Sequence, residues 1–379
     1  MSTPPVATES IRPAPPDAGA AGAAGAADAA RPAAPEAPAA AVAGGAKRWQ
    51  VPAEDHARLR AGPVLCRLVD HSVLDFEGPD AVAFLQGQTT VDIGALAAQS
   101  WQLGGYCTPK GRLLAVFQAW QVAQGVRLLL PTAIAATVAR RLGMYVLRAK
   151  VRVRDASADW RAYALLTRAA PSGALAALQG AGVVPHAAAW QTQPFGVDDA
   201  ARLATLPCGA SSTGRWLAVV PTALGDEFER ALGLPLAGAE LYWWSQIDAA
   251  VPAIFPETSE LFVPQTVNLE VLGGVNFRKG CYPGQEIVAR SQYLGKLRRR
   301  LALAHAPELG PGADVYLDGK ADPVGRIVMA ATAPDEGWDL LFECPADALQ
   351  EGARLRAGAV TAAPLQPRTL PYAIFDPTA

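Results

Sequence analysis

The chain has 379 residues, with 33 Lys and Arg against 35 Asp and Glu, a formal net charge of −2. That balance excludes a strongly basic protein that coats nucleic acid, although a local basic patch is compatible with it. Apolar residues make up 51 %, inflated by Ala, and the longest apolar runs fall far short of the ~18 residues a membrane span needs, so no membrane is expected.

In chain order, residues 1–60 read as a disordered Ala/Pro-rich tail. The first 46 residues contain 19 Ala, 8 Pro and 5 Gly, with no periodic apolar face to offset the entropy of ordering. The opening MSTPPVATES lacks the basic start and apolar core of a secretory signal. Residues 61–155 read as a first α+β subdomain. It opens with an extended segment, Ser72–Glu77, and Gly78-Pro79-Asp80 then starts a short helix carrying Val82, Phe84 and Leu85. Arg112–Trp120 and Val126–Leu130 read as paired strands, and Ile134, Val138 and Leu142 give Pro131–Leu142 one apolar helical stripe. Ala149, Val151 and Val153 then alternate with Arg148, Lys150, Arg152 and Arg154. The basic side of that strand is either a solvated face or a polyanion-facing one.

Residues 156–296 repeat the pattern as a second α+β subdomain. Strands are expected at Arg161–Thr167 and Arg215–Val220, and helices at Pro171–Gln179 and Asp226–Leu232. From 297 to 379 the strands are short and separated by Gly, Pro and Asp: Arg298–Ala304, Asp314–Leu317, Val324–Ala330 and Asp339–Glu343. That spacing predicts a small C-terminal β-barrel.

Five cysteines stand far apart with no CxxC, which argues against a local metal cage or a disulfide framework, and a reducing cytoplasm fits. Phosphate-loop, dinucleotide-binding, nucleophile-elbow and zinc-protease motifs are absent, and His56, His71, His186 and His305 form no cluster in sequence. No metal site is expected. The chemistry concentrates in Phe262–Glu270 and in Val275–Arg290, which contains Lys279-Gly-Cys-Tyr-Pro-Gly-Gln-Glu286. Gly280 and Gly284 bracket Cys281, Lys279 lies two residues upstream, and Pro283 suits the first turn of a helix in which Glu286 and Arg290 are i,i+4 partners. A cation and a helix N-terminus near sulfur favour a thiolate, the recipe for a nucleophilic or metal-binding cysteine. The competing reading is a buried, inert cysteine in a glycine turn. Of six Lys, two (Lys279 and Lys296) flank this segment, and the only two Asn, Asn268 and Asn276, lie in it.

The octapeptide resembles the K-G-C-[FY]-x-G-Q-E motif of the YgfZ-type folate-binding proteins, relatives of the glycine-cleavage T protein. The resemblance spans roughly residues 64–376. It includes Phe84–Asp92, Gly105–Arg112, Leu147–Val151, Phe262–Gln265 with Asn268–Glu270, and Leu370–Tyr372. It implies an aminomethyltransferase-like α+β fold: two α+β subdomains around a central folate channel, with a C-terminal β-barrel. It also implies tetrahydrofolate, or a one-carbon derivative, as cofactor. The implied partners are iron–sulfur proteins or cluster-assembly factors and tRNA-modifying enzymes or tRNA. Cys281 is the residue the family depends on, with Lys279 expected to tune it. Tyr242 and His71 match the family's aromatic folate contacts, although family members can have Trp at the second. Gln265 and Asn268 are expected to supply amide hydrogen bonds inside the channel, and Gln285 and Glu286 to shape the turn. The alternative is a one-carbon transferase like the glycine-cleavage enzyme. That reading needs a carboxylate near the pterin, where Thr108-Pro-Lys-Gly-Arg112 has none.

Overall fold

The computed structural model describes residues 46–96, 100–168, 172–180, 192–194, 201–209, 211, 214–293, 298–350 and 353–374. The expectation for residues 1–45, and those for His186 and Lys296, lie outside the described residues.

The described chain opens with β1 (Lys47–Trp49) and α1 (Ala53–Ala61), so the tail expected through residue 60 is structured from Ala46 onward. Strand β1 lies parallel to a C-terminal strand some 280 residues away, and Trp49 is buried in the main core. Composition had hidden this segment behind its Ala/Pro-rich neighbour.

Next come β2 (Val64–Arg67), β3 (His71–Glu77), α2 (Ala81–Gln86), β4 (Gln102–Cys107), β5 (Leu113–Val122), β6 (Gly125–Pro131), α3 (Thr132–Met144) and β7 (Arg152–Asp155). A five-stranded sheet runs in the order β4-β5-β6-β3-β7. Its outer face packs under α2 and α3, where Ile134, Ala135, Val138 and Leu142 are buried as the helical stripe predicts. The basic segment is shorter as a strand than its alternation suggests, since only Arg152–Asp155 pairs with β3, at the sheet edge.

The second block contributes β8 (Trp160–Thr167), α4 (Ser172–Gly180), β9 (Thr192–Pro194), β10 (Arg202–Thr205), β11 (Gly214–Pro221), α5 (Gly225–Leu232), β12 (Leu236–Ala237) and α6 (Ala239–Asp248). Its six-stranded sheet runs β12-β2-β8-β11-β10-β9. Strand β2 therefore leaves the first block to pair with β8, and the subdomain boundary expected at residues 155/156 is crossed by the sheet. Sequence adjacency could not show this, because a strand of four residues carries no record of its partner. Helices α4 and α5 cover the outer face of this sheet around Phe228, Trp216 and Leu178.

After α6 come irregular backbone, a 3₁₀ turn at Pro264–Val267 and α7 (Gln285–Tyr293). The chain then enters β13 (Arg299–Ala306), β14 (Asp314–Leu317), β15 (Gly325–Thr332), β16 (Trp338–Pro345), β17 (Leu355–Ala357) and β18 (Gln366–Arg368). These curl into a half-barrel ordered β17-β14-β15-β16-β13-β18, joined by β1 on β15. The four C-terminal strands named from sequence all recur here within a few residues of their expected ends.

Helix α6 is the meeting point. Of its ten residues only Glu240 escapes burial, and it packs against β1, β2, β8, β15 and β16. Its two adjacent indoles reach opposite ways: Trp243 Nε1 donates to Asp70 at 2.5 Å and Trp244 Nε1 to Asp339 at 2.9 Å. Arg368 of β18 bridges Asp248 at 2.8 Å and Asp339 at 3.2 Å, stitching the half-barrel to the helix. Replacing Arg368 with Met takes the guanidinium from two carboxylates whose side chains are 0 % and 5 % exposed. Urea unfolding of Arg368→Met is expected to show a loss of about 3 kcal/mol; a loss below about 1 kcal/mol would mean that the pairs add little.

Candidate functional site

Where the two sheets meet, a cleft of about 670 Å³ opens. The first sheet supplies His71 and Ser72, the start of α3 supplies Thr132, and the second sheet supplies Arg67, Trp160 and Arg161. His71 is clamped. Its Nδ1 bonds the Asp70 carboxylate at 2.9 Å, and its ring stacks on Trp243 with centroids 4.8 Å apart and planes 15° apart. Burial alone would push the Asp70 carboxyl up, but hydrogen bonds from His71 and Trp243 hold it below its ordinary value. The His71 side chain is 2 % exposed, and its Nε2 has no hydrogen-bond partner among the described residues, so this polar atom is left over on the cleft wall.

Tyr242 sits one layer deeper than the sequence led us to expect. It is fully buried, edge-on to His71 at 5.3 Å, and it does not line the cleft. Burial pushes its phenol up, and its hydroxyl has Gln118 as polar neighbour without a well-formed bond. A contribution from Tyr242 therefore passes through His71. On the other side of the cleft, the Arg127 guanidinium lies 3.9 Å over the Trp160 ring, and Arg67 and Arg161 pair with Glu229 and Asp226. Sequence reasoning missed Trp160 and this cationic rim. The available signal was a Trp and an Arg at the mouth of a predicted strand.

The loop before α7 holds the second group of expected residues. Cys281 is exposed, so the buried-cysteine reading fails. Lys279 spends its charge on backbone. Its ammonium donates to the carbonyls of Gln86 and Thr89, at the C-terminal end of α2, where carbonyls lack helical partners. Its amine also stands 5.1 Å over the Tyr282 ring, and burial pushes its pKa down to about 8. Helix α7 begins at Gln285, after Pro283, so it starts four residues beyond Cys281. Glu286 and Arg290 are exposed on it without forming an ion pair. Gln285 Nε2 reaches the Lys279 carbonyl at 3.5 Å and closes the turn.

Gly284 explains why the motif must be glycine there. Its φ is +82°, and a Cβ would lie 2.6 Å from the Gly111 nitrogen. The backbones of Gly105–Arg112 and Lys279–Glu286 thus touch, joining two motifs separated by some 170 residues.

Gln265 and Asn268 spend their amides on backbone. Gln265 Nε2 donates to Val288 at 2.6 Å and so fastens α7. Asn268, with φ +57°, donates to Leu301 at 3.1 Å and Tyr372 at 3.4 Å. Both side chains are completely buried, their amide donors fasten α7 and the half-barrel to the 3₁₀ turn, and the Gln265 Oε1 has no partner among the described residues. Glu270 is held by Arg300, although burial pushes its carboxyl above the ordinary value. Overall, the expected residues form three places: His71 with Tyr242, Gln265 with Asn268, and Cys281 with Lys279, Gln285 and Glu286. No group of three or more potential metal ligands is found among the described residues.

No family profile matches the chain. Curated relatives do. The tRNA-modifying protein YgfZ of Edwardsiella ictaluri is 31 % identical over 322 residues, covering 81 % of this chain and 92 % of its own. This chain belongs to the YgfZ family. The YgfZ of Serratia proteamaculans is 30 % identical over 283 residues, covering 74 % and 77 %. Among solved structures, the glycine cleavage system aminomethyltransferase T of Bartonella henselae superposes with a TM-score of 0.63 at 16 % identity, over 84 % of this chain and 88 % of that one. The likeness shows an aminomethyltransferase-like α+β fold with a C-terminal half-barrel, as the motifs imply.

Two measurements check the YgfZ-motif loop. In native protein, iodoacetamide is expected to modify Cys281 and Cys208, the exposed thiols, before the buried Cys66, Cys107 and Cys344. Burial pushes all three of those thiols up, Cys107 and Cys344 to about 12. Mass spectrometry that finds a buried cysteine alkylated first contradicts this packing. For Lys279, ¹³C NMR of the ε-carbon should give a midpoint near 8, against roughly 10.4 in the unfolded chain. Between those pH values the unfolded chain holds a proton that the folded chain has released. Stability relative to Lys279→Met should therefore rise with pH across that window. A flat difference refutes the buried ammonium.

Proposed function

We propose that the chain binds tetrahydrofolate, or a one-carbon derivative, in the cleft beside His71. In this reading it acts in the reducing cytoplasm as an accessory to iron–sulfur proteins in tRNA modification, through Cys281. Tetrahydrofolate joins a flat pterin to a carboxylate tail, and the residues present fit that shape. The cleft volume of about 670 Å³ lies within the range of small-molecule sites, roughly 300–1,000 Å³. Trp160 and the clamped His71 offer ring faces and edges, the leftover His71 Nε2 and the Ser72 and Thr132 hydroxyls offer hydrogen bonds, and Arg67 and Arg161 suit the tail. Bound folate would supply one-carbon chemistry. This chain's own residues would hold its ring and its carboxylates.

The observation that carries the role of Cys281 is its presentation. The loop is fastened at one end by the Lys279 ammonium and at the other by the Gly284–Gly111 backbone contact, and it leaves the sulfur exposed. A thiol fixed in place and open to solvent can meet a partner protein's cluster or its ligands, whereas the buried cysteines cannot. The names of the relatives supply the link to tRNA modification. The one-carbon transferase reading has less to support it. Glu229 and Asp226 in the cleft are neutralised by Arg67 and Arg161, and Glu270 by Arg300.

Tetrahydrofolate is expected to quench the tryptophan fluorescence of the full chain, and His71→Ala or Trp160→Ala should weaken that titration by about tenfold, the cost of a lost ring contact. In cells lacking the native gene product, Cys281→Ala should lower the level of tRNA modifications made by iron–sulfur enzymes, while Cys208→Ala should not. No quenching with native protein removes the folate half. Full modification with Cys281→Ala removes the cysteine half.

A further inference from the structure

The basic segment after α3 takes no part in the cleft or in the Cys281 loop. Its alternation is real in three dimensions. Ala149, Val151 and Val153 pack against the core of the first sheet, and Arg148, Lys150 and Arg152 are exposed. The nearby acids are already engaged. Asp75 takes Arg127 and Arg154, Glu77 takes Arg154, and Asp80 accepts the Lys150 backbone N–H at 2.7 Å. None of Arg148, Lys150, Arg152 or Arg140 has an ion-pair partner among the described residues. Arg140 stands one helical turn before Met144 on α3, which packs against β7.

At the end of α3 and in the turn that follows it, the chain also exposes Met144, Tyr145 and Leu147, at 61 %, 46 % and 86 %. Leu147 holds a left-handed backbone at φ 42°, a conformation a branched side chain rarely adopts. The backbone beneath is fixed, because Gly78 has no Cβ where the Lys150 carbonyl approaches and Asp80 grips the Lys150 N–H. Packing explains none of this outward display.

We infer that residues 140–152 form a docking edge for the phosphate backbone of RNA, with Arg148, Lys150 and Arg152 pairing to successive phosphates and Tyr145 available to a base. The chemistry favours RNA over other anionic partners. Three cations unpaired among the described residues fall within five residues, Arg148 and Lys150 in the turn before β7 and Arg152 at its start, a concentration of positive charge that suits a polyanion. Arginine forks match phosphate oxygens, and an exposed phenol beside them offers a stacking platform. The proposed role in tRNA modification is invoked only for the kind of nucleic acid; the edge itself does not depend on the folate cleft.

The test uses the full chain and a fluorescently labelled, unmodified tRNA transcript, followed by anisotropy between about 50 and 200 mM salt. Arg148→Gln/Lys150→Gln/Arg152→Gln should bind at least about tenfold more weakly and lower the slope of log K against log salt by about 2–3. Tyr145→Ala should weaken binding several-fold with the slope unchanged. Failure of the native chain to bind, or equal binding by the triple variant, overturns the proposal. Unchanged RNA binding with loss of adhesion to phosphatidylserine vesicles overturns it in favour of a lipid surface. Tetrahydrofolate quenching, run on the same samples, separates the two readings: RNA binding lost from the triple variant with quenching intact supports the edge, and quenching absent with RNA binding intact sinks only the cleft.

Discussion

Helix Ala239–Asp248 is buried at every residue but Glu240, and the surrounding structure is arranged so that both of its indole N–H groups are paired. An indole N–H left without a partner in such a place costs about 1–3 kcal/mol. Two carboxylates, Asp70 and Asp339, come from opposite directions to meet Trp243 and Trp244. Behind them, Arg215, itself without exposed surface, donates to Gln246, Ser245 and the Pro207 carbonyl. Burial lowers the pKa of that guanidinium, so its fork of acceptors is what keeps a charge tolerable there. Because Asp70 belongs to the first block, Arg215 to the second and Asp339 to the half-barrel, one helix sets the relation among three layers.

The cleft follows from that arrangement. Asp70 holds Trp243 with one oxygen and His71 with the other, so the helix that organises the core also orients the ring facing the ligand space. A change at Trp243 would be felt at His71 without touching a ligand. The Cys281 loop is built on the opposite principle. Its neighbours Lys279, Gln285 and Gln265 are all used to fasten backbone, which leaves the sulfur as a displayed group on a rigid mount.

Much of the local structure was legible in the sequence. The stripe Ile134, Val138, Leu142 gave α3, the alternation about Val151 gave an inward and an outward face, and the turn-punctuated C-terminus gave the half-barrel strands. The polar residues misled in a consistent way. Lys279, expected to tune Cys281, and Gln265 and Asn268, expected to face the channel, stand out by rarity and motif, yet each donates to carbonyls of distant backbone. A buried donor is as demanding as a catalytic one, and residue type alone does not separate the two. His71 differs in lining the cleft, with its Nδ1 spent on Asp70.

By itself, the sequence determined the periodicities, the glycine at position 284 that a left-handed turn requires, and the family to which the motifs point. Those properties rest on neighbours within a few residues, where side-chain spacing and backbone sterics act directly. Tertiary structure alone decided that Val64–Arg67 joins the second sheet, that Lys47–Trp49 completes the half-barrel, that Tyr242 lies behind His71, and that the ammonium of Lys279 is fastened to the carbonyls of Gln86 and Thr89. Each of those depends on which distant acceptor or strand edge is closest in space. The folded packing settles that choice, because hydrogen bonds and burial reward proximity in three dimensions and are blind to separation along the chain.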